Sequence, residues 1–392
     1  MMGDTPQSTA PITAITRFEF QPIESDPPVK FRCERDVLDR AFSTARRAVS
    51  GRSGSHPVLS GLHLGLTGDC LVVTGSDGDL TIRVEAKVGG KKDGSVVLSA
   101  QLASDIVRSL DAGQVEFSAG DDGATLVAGR SDFSLRTMPT DEYPRFEEPG
   151  GDSVNLDAVM VADALDQVVK AASLDDARPI LTGVLMAAEE DGLRFVATDS
   201  YRLAVRDLPG TEILGRDQTV LVPSRALDAV GRVLGDASGL TIRLGDRDAS
   251  FTIDDVQIVT RLIEGEFPNY RGLIPDSHPN ALVVDRVAFL EAVRRVGIMA
   301  RDATPVRLTM SADGLELVAI TQDVGQGRET MDAEYSGSDL TVAFNPEYLL
   351  DGLEVSPGDE VRLETVDSLK PAVLRSVGND HFLYLLMPVR VS

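Results

Sequence analysis

The sequence predicts an α+β protein built from three repeats of one domain, each with two helices packed on antiparallel sheet. Three observations lead there. A turn motif recurs as His56-Pro57-Val58-Leu59-Ser60-Gly61, as Arg178-Pro179-Ile180-Leu181-Thr182-Gly183 and, more loosely, as Thr304-Pro305-Val306-Arg307-Leu308, its prolines 122 and 126 residues apart. Each copy leads into apolar strands around Asp-Gly or related turns, with Leu71 to Asp77, Arg194 to Arg202 and Leu315 to Asp323 as the recurring second strand. Each unit then offers a helix start, Ser99, Ser224 or Asn345, ahead of an apolar-periodic run such as Leu102, Ile106 and Val107.

A chain of 392 residues has room for two or three domains, and a period of about 120 residues selects three. The boundaries that follow are an extension at 1–28 and domains at 29–149, 150–277 and 278–392. Residues 1–28 hold Pro6, Pro11, Pro22, Pro27 and Pro28 among scattered Ser and Thr, the composition of a flexible segment. The first domain opens with a strand at Val29 to Cys33, then a helix with Val37, Leu38, Ala41, Phe42 and Ala45 on one face. The matching stripes are Val161, Leu165, Val168 and Val169 in the second domain and Phe289, Leu290, Val293 and Val296 in the third. Pro346 at a first helical position supports the last helix. Period-two alternation in Leu240 to Leu244 and Ala249 to Ile253 predicts strands, and Asp122-Gly123, Asp191-Gly192 and Asp313-Gly314 predict hairpin turns. Glu147 to Gly151 and Pro275 to Pro279 are the candidate linkers.

The formal charge is −24, from 62 acidic and 38 basic residues, which argues against binding nucleic acid on an open surface. Any such role requires positive charge gathered on one protected face. It gathers on helices: Arg40, Arg46 and Arg47, then Lys170, then Arg286, Arg294, Arg295 and Arg301. No apolar stretch approaches the roughly 18 residues of a membrane span, and the N-terminus lacks signal-peptide order, so the expected protein is soluble and cytoplasmic with no membrane partner. Cys33 and Cys70 share no ligand spacing and are expected to be buried small apolar residues of a reduced interior.

Motifs for chemistry are missing. His56, His63, His278 and His381 are dispersed, and there is neither a phosphate-binding G-x-x-x-x-G-K-[ST] loop nor a G-x-S-x-G elbow. Gly325-Gln326-Gly327 reads as a hairpin tip, and the acidic clusters Asp121-Asp122 and Glu189-Glu190-Asp191 read as solvated turns. No catalytic residue, metal or cofactor is expected.

Four segments are more specific: Ala197 to Ala204, Glu264 to Arg271, Phe344 to Leu350 and Leu386 to Val391. Together they resemble the bacterial DNA polymerase III beta subunit, the sliding clamp, over Val29 to Val391, and Arg178 to Gly183 looks closest to actinobacterial members. The resemblance implies three clamp domains per chain and a head-to-tail homodimer, a six-domain ring with twelve helices around its hole. It implies a processivity factor that encircles double-stranded DNA without reading sequence, with no catalytic site. Implied partners are the replicative DNA polymerase, the clamp loader and other proteins carrying clamp-binding peptide motifs.

Carried onto this chain, the peptide-binding groove would use Leu181, Thr198, Tyr201, Arg202, Leu203, Pro268, Leu273, Asn345, Tyr348, Leu385, Met387, Pro388, Val389 and Arg390. Leucines, Val389 and Met387 suit apolar walls, and Asn345 and Arg390 suit a peptide backbone, although Leu203 and Leu385 fit ordinary core packing equally well. The DNA-facing set would be Arg40, Arg46, Arg47, Arg52, Arg108, Lys170, Arg178, Arg225, Arg232, Arg294 and Arg295. At the subunit contact, Ile106 and Phe133 would meet Ile298 and Met299 of the other copy. Two alternatives stand beside this reading: a divergent clamp paralogue conferring tolerance to a clamp-targeting inhibitor, and a metal-dependent hydrolase using the acidic clusters.

Overall fold

The structure, a computed structural model, describes residues 29–49, 56–120, 123–146, 148–235, 237, 239–301 and 304–390. The expected extension at 1–28, Arg52 and its loop, and Asp121-Asp122 lie outside them.

Six α-helices occur among the described residues: α1 (Arg35–Ala45), α2 (Ala100–Ser109), α3 (Ala158–Val168), α4 (Ser224–Leu234), α5 (Arg286–Gly297) and α6 (Pro346–Val355). The first helix of each unit buries one repeated stripe: Leu38, Ala41, Phe42 and Ala45; Val161, Ala164, Leu165 and Val168; Phe289, Ala292, Val293 and Val296. That i, i+3, i+4, i+7 spacing lays one face on the sheet and leaves the cations on the other. Asp157 and Asp285 cap α3 and α5, accepting from the backbone N–H of Met160 at 2.8 Å and Ala288 at 2.7 Å. Ser99 and Asn345 cap α2 and α6 as expected. Ser224 instead is the first residue of α4, because Pro223 takes the capping position and bonds nothing with its side chain.

The helices pair within units, α1 with α2, α3 with α4 and α5 with α6, and form one layer against four antiparallel sheets of five, nine, nine and four strands. The two nine-stranded sheets cross unit boundaries. Leu80–Lys87 of the first unit pairs with Val256–Arg261 of the second, and Arg202–Pro209 of the second pairs with Asn379–Leu386 of the third. These seams satisfy edge backbone groups and carry one hydrophobic core, from Phe31 to Leu386, through all three units.

Two local expectations are corrected. Gly325-Gln326-Gly327 is not a hairpin tip but the start of the edge strand Gly325–Met331. Cys33 is buried, which pushes its thiol up to about 12, whereas Cys70 is exposed because it opens a strand directly after the Gly68-Asp69 turn at the end of a hairpin.

Gly352 shows how tightly α6 is seated. A Cβ there would lie 2.5 Å from the Tyr384 ring, which is 1% exposed. Gly352→Ala is therefore expected to destabilise the protein by about 1–3 kcal/mol despite the better helix propensity of alanine, a change readable by urea denaturation.

Candidate functional site

The seam between the second and third units also builds the candidate groove. Leu203 stands opposite Leu385, and Ala204 opposite Tyr384. Alternation sends Ala204, Phe382, Tyr384 and Leu386 into the main core and Leu203, Val205, Leu383 and Leu385 to the outer face. There a second apolar cluster forms under Ile180, Ile263, Phe267 and Ile274. Leu203 and Leu385 are only 1% and 2% exposed, so they belong to the packed floor.

The turn ahead of Leu203 is held almost entirely by its own side chains. Thr198 Oγ1 donates to the Arg202 carbonyl at 2.6 Å and accepts from Ser200 N–H at 3.1 Å. Asp199 accepts from Tyr201 N–H, Arg202 N–H and Arg202 Nε at 2.9, 3.0 and 3.0 Å. Ser200 takes a positive φ of 82°, a conformation that non-glycine residues adopt uncommonly. Tyr201, 58% exposed, stacks on Tyr348 with ring centroids 6.4 Å apart.

Arg202 ties this turn to α6. Its guanidinium lies 4.5 Å from the Tyr348 ring centroid, donates to Asp351 and reaches Tyr384 Oη at 3.4 Å. Burial works against its charge, but Tyr384, Asp351 and Asp199 outweigh it and hold its pKa above the ordinary arginine value. Asn345 spends its side-chain oxygen on capping α6, accepting from Glu347 N–H at 2.9 Å. Beyond Leu386 the chain is pinned on both sides: Met387 N–H donates to Tyr201 O at 2.8 Å and Val389 N–H to Ala343 O at 2.7 Å. This leaves Met387 and Arg390 exposed and Pro388 and Val389 half-buried.

The remaining groove candidates border the same floor. Leu181, nearly buried, sits in the short Pro179–Thr182 turn of helix, preceded by Arg178, which donates to Asp199 O and Ser200 Oγ at 3.4 and 3.3 Å. Gly265 lies under Ile180, where a Cβ would come within 2.9 Å of the isoleucine. Exposed Pro268 and Leu273 each neighbour an anchor of the outer cluster, Phe267 and Ile274. Sequence reasoning missed Asp351 and Tyr384, which anchor Arg202. The Asp199-Ser200-Tyr201-Arg202 run carried an Asx-turn signal that went unused.

The helix cations are mostly paired with acids, a restraint on the expected phosphate-attracting face. Arg40 forms two 2.7 Å bonds to Asp255 across the first seam, and Arg225 donates there to Asp77 and to the carbonyls of Arg47 and Ala48. Lys170 reaches Glu354 across the second seam at 3.2 Å, and Arg294 of the same unit as Glu354 shares that carboxylate at 2.9 Å. Arg46 meets Asp105, Arg178 meets Asp175, Arg232 meets Asp228 and Arg295 meets Glu329. Arg47 and Arg108 are exposed with no carboxylate bridge among the described residues. Arg47 stands near Arg232 across a cleft of about 370 Å³ between α1 and α4; burial, then the Arg232 charge, lowers its pKa.

Of the subunit-contact candidates, Ile106 and Phe133 are partly buried against their own core, Met299 covers Gly327, and Ile298 is 72% exposed. Among the described residues no group of three or more His, Cys, Asp or Glu side chains could hold a metal ion. No helix among them is long and apolar enough to cross a membrane.

Family models for the DNA polymerase III beta subunit match in order along the chain: the N-terminal domain over residues 29–147, the central domain over 155–269 and the C-terminal domain over 271–390. The beta sliding clamp of Streptomyces coelicolor is 35% identical over 376 residues, covering 93% of this chain and 100% of that protein. Among solved structures, the Caulobacter crescentus clamp superposes with a TM-score of 0.86 at 27% identity, covering 94% of this chain and all of that one. It holds polyethylene glycol in a region assigned to tethering of the beta motif. The Pseudomonas aeruginosa clamp bound to griselimycin gives a TM-score of 0.84 at 27% identity, covering 93% and 100%.

Two outcomes follow from the site. Arg202→Ala should lower stability in urea by about 1–3 kcal/mol, because it leaves Asp199 and Asp351 without their partner. The hydrogen bond from Arg294, reinforced by Lys170, holds Glu354 below its ordinary value of 4.5. A depressed carboxylate stabilises the fold above its unfolded pKa and loses that contribution as pH falls through the folded one. Thermal melts from pH 7 downward should therefore show stability lost below pH 4.5, with a shallower loss in Glu354→Gln.

Proposed function

The chain belongs to the DNA polymerase III beta subunit family of sliding clamps, non-catalytic processivity factors, and from that premise we propose that two copies close head to tail around duplex DNA. The supporting observation is which strand edges remain unpaired. Each in-chain seam joins the strand after the Ser76 or Thr198 turn of one unit to the strand closing the second hairpin of the next unit. Applying the same rule leaves Gly325–Met331 free in the third unit and Ser131–Leu135 free in the first. They lie at opposite ends of the chain, so pairing them between copies is a heterologous contact that a rotation can close. Ile106 and Phe133 flank one edge, and Ile298 and Met299 the other. Three units per chain then require two chains for six.

In such a ring the helix layer faces the duplex, and Arg47, Arg108 and the paired arginines contact phosphates without reading bases. Cations already held by carboxylates exchange partners with phosphate at little net gain, which suits sliding. Arg40, Arg225 and Lys170 hold the seams as well as facing inward. The chromosome places this work in the cytoplasm.

The groove over the Leu203–Leu385 floor captures linear peptides of the replicative polymerase, the clamp loader and other clamp-binding proteins. Tyr201, Leu273 and Met387 offer exposed apolar surface around that floor, Tyr348 stiffens Tyr201, and Arg390 is available for a carboxylate or a backbone carbonyl. Met387→Ala and Arg390→Ala should each weaken binding of a short clamp-binding peptide by about 5- to 50-fold, roughly the 1–2 kcal/mol of one well-placed contact, in fluorescence anisotropy. Unchanged affinity in both variants would remove the groove. Retention on nicked circular DNA after loading, with release upon linearisation, tests encirclement separately.

A further inference from the structure

If two copies join head to tail as proposed above, the in-chain seams fix the register in which the free edges meet, because all three seams then join equivalent strands. In the first seam Ile82 stands opposite Ile258 and Arg83 opposite Gln257. In the second, Ala204 stands opposite Tyr384 and Val205 opposite Leu383. The hairpins define the equivalences. Cys70, Gly192 and Gly314 each open a strand after a two-residue turn, and six residues on, Ser76, Thr198 and Ile320 pair with Thr81, Leu203 and Gln326. Gly327 is therefore the counterpart of Ile82 and Ala204, and Arg328 of Arg83 and Val205. On the other side, two-residue turns at Asp254-Asp255 and Gly129-Arg130 close hairpins in even register, making Phe133 the counterpart of Ile258 and Asp132 of Gln257, whereas the third unit's hairpin is bulged after Arg375, so that Tyr384 takes that place there through its pairing with Leu374.

The resulting register sets Gly327 of one copy opposite Phe133 of the other, and Arg328 opposite Asp132. Both pairs are complementary. Phe133 points to the helix side, where Gly327 offers no side chain and Met299 lies 3.0 Å from the position a Cβ would take. Arg328 and Asp132 are exposed on the outer side, and Arg328 already rests on Glu316 of the adjacent strand. A second pair comes from the helices. Arg40 of α1, which bonds Asp255 across the first seam, is equivalent to Glu291 of α5, six residues after the residue that precedes the helix, Glu34 or Asp285, in each case. Asp255 is equivalent to Arg130. Across the third seam the same two positions thus carry an acid and a base, with the polarity reversed.

We propose that the contact between copies is set in register by two ion pairs, Arg328 with Asp132 of the partner protomer and Glu291 with Arg130 of the partner protomer. The first replaces an amide contact in one in-chain seam and an apolar contact in the other, so this seam is specified by charge. Slippage by two residues in one sense sets Arg328 against Arg130, a like-charge contact, and slippage by one turns Phe133 to the wrong face.

Charge reversal measured by sedimentation velocity tests the register in the full chain. Asp132→Arg and Arg328→Asp should each weaken the dimer about tenfold or more, and the two together on one chain should restore it, because the same ion pair then forms with its acid and base exchanged between copies. Arg130→Glu should likewise be rescued by Glu291→Arg. A dimeric wild type indifferent to the single reversals, or a double reversal that fails to recover while its melting temperature matches wild type, overturns the register and leaves the ring. A wild type that sediments as a monomer at every concentration overturns ring and register together.

Discussion

Backbone pairing between strands of different units is the constraint on which the rest of this structure depends. An antiparallel sheet packed against two helices has two edges, and each edge exposes a row of N–H and C=O groups that must find partners. Here the edges find one another. Leu80 to Val84 and Val256 to Thr260 make one seam, Arg202 to Arg206 and Phe382 to Leu386 the other, and the core runs through both without a break. The same pairing brings Leu203 beside Leu385, so the floor of the candidate groove is a direct product of how units join. It also leaves one edge at each end of the chain, and a repeated joining rule converts those two edges into a closing contact.

Charge is distributed so that an acidic protein carries a helix layer of arginines without becoming a strong polyanion trap. Most of those arginines bond a carboxylate nearby, and surface pairs of this kind contribute little stability each. Their greater effect is positional. Asp255, Asp77 and Glu354 hold guanidinium or ammonium groups across unit boundaries, so the inner layer stays in place while its charges remain available to exchange.

Several features were legible from residues because they are local. The helix stripes, the caps at Ser99 and Asn345, the Asp-Gly turns and the recurring proline motif each depend on a few neighbours in sequence. Leu203 and Leu385 show the limit. Each is an apolar residue in an alternating strand, and only the covering segment from Ile263 to Ile274 makes them floor. Gly325-Gln326-Gly327 failed for a related reason: glycines suggest a tip, yet here they thin an edge strand where Met299 leans over it.

Three units of one domain, their helices and strands, the family and the net charge were all readable along the chain, since repetition, periodicity and motif order are one-dimensional properties. Which edges pair, which arginines are held by which acids, and which apolar residues line a floor were settled by folding in three dimensions. Several of those outcomes join residues far apart along the chain, 149 positions for Arg202 with Asp351 and 215 for Arg40 with Asp255. Nothing local distinguishes such partners from other residues of the same type; proximity on folding does.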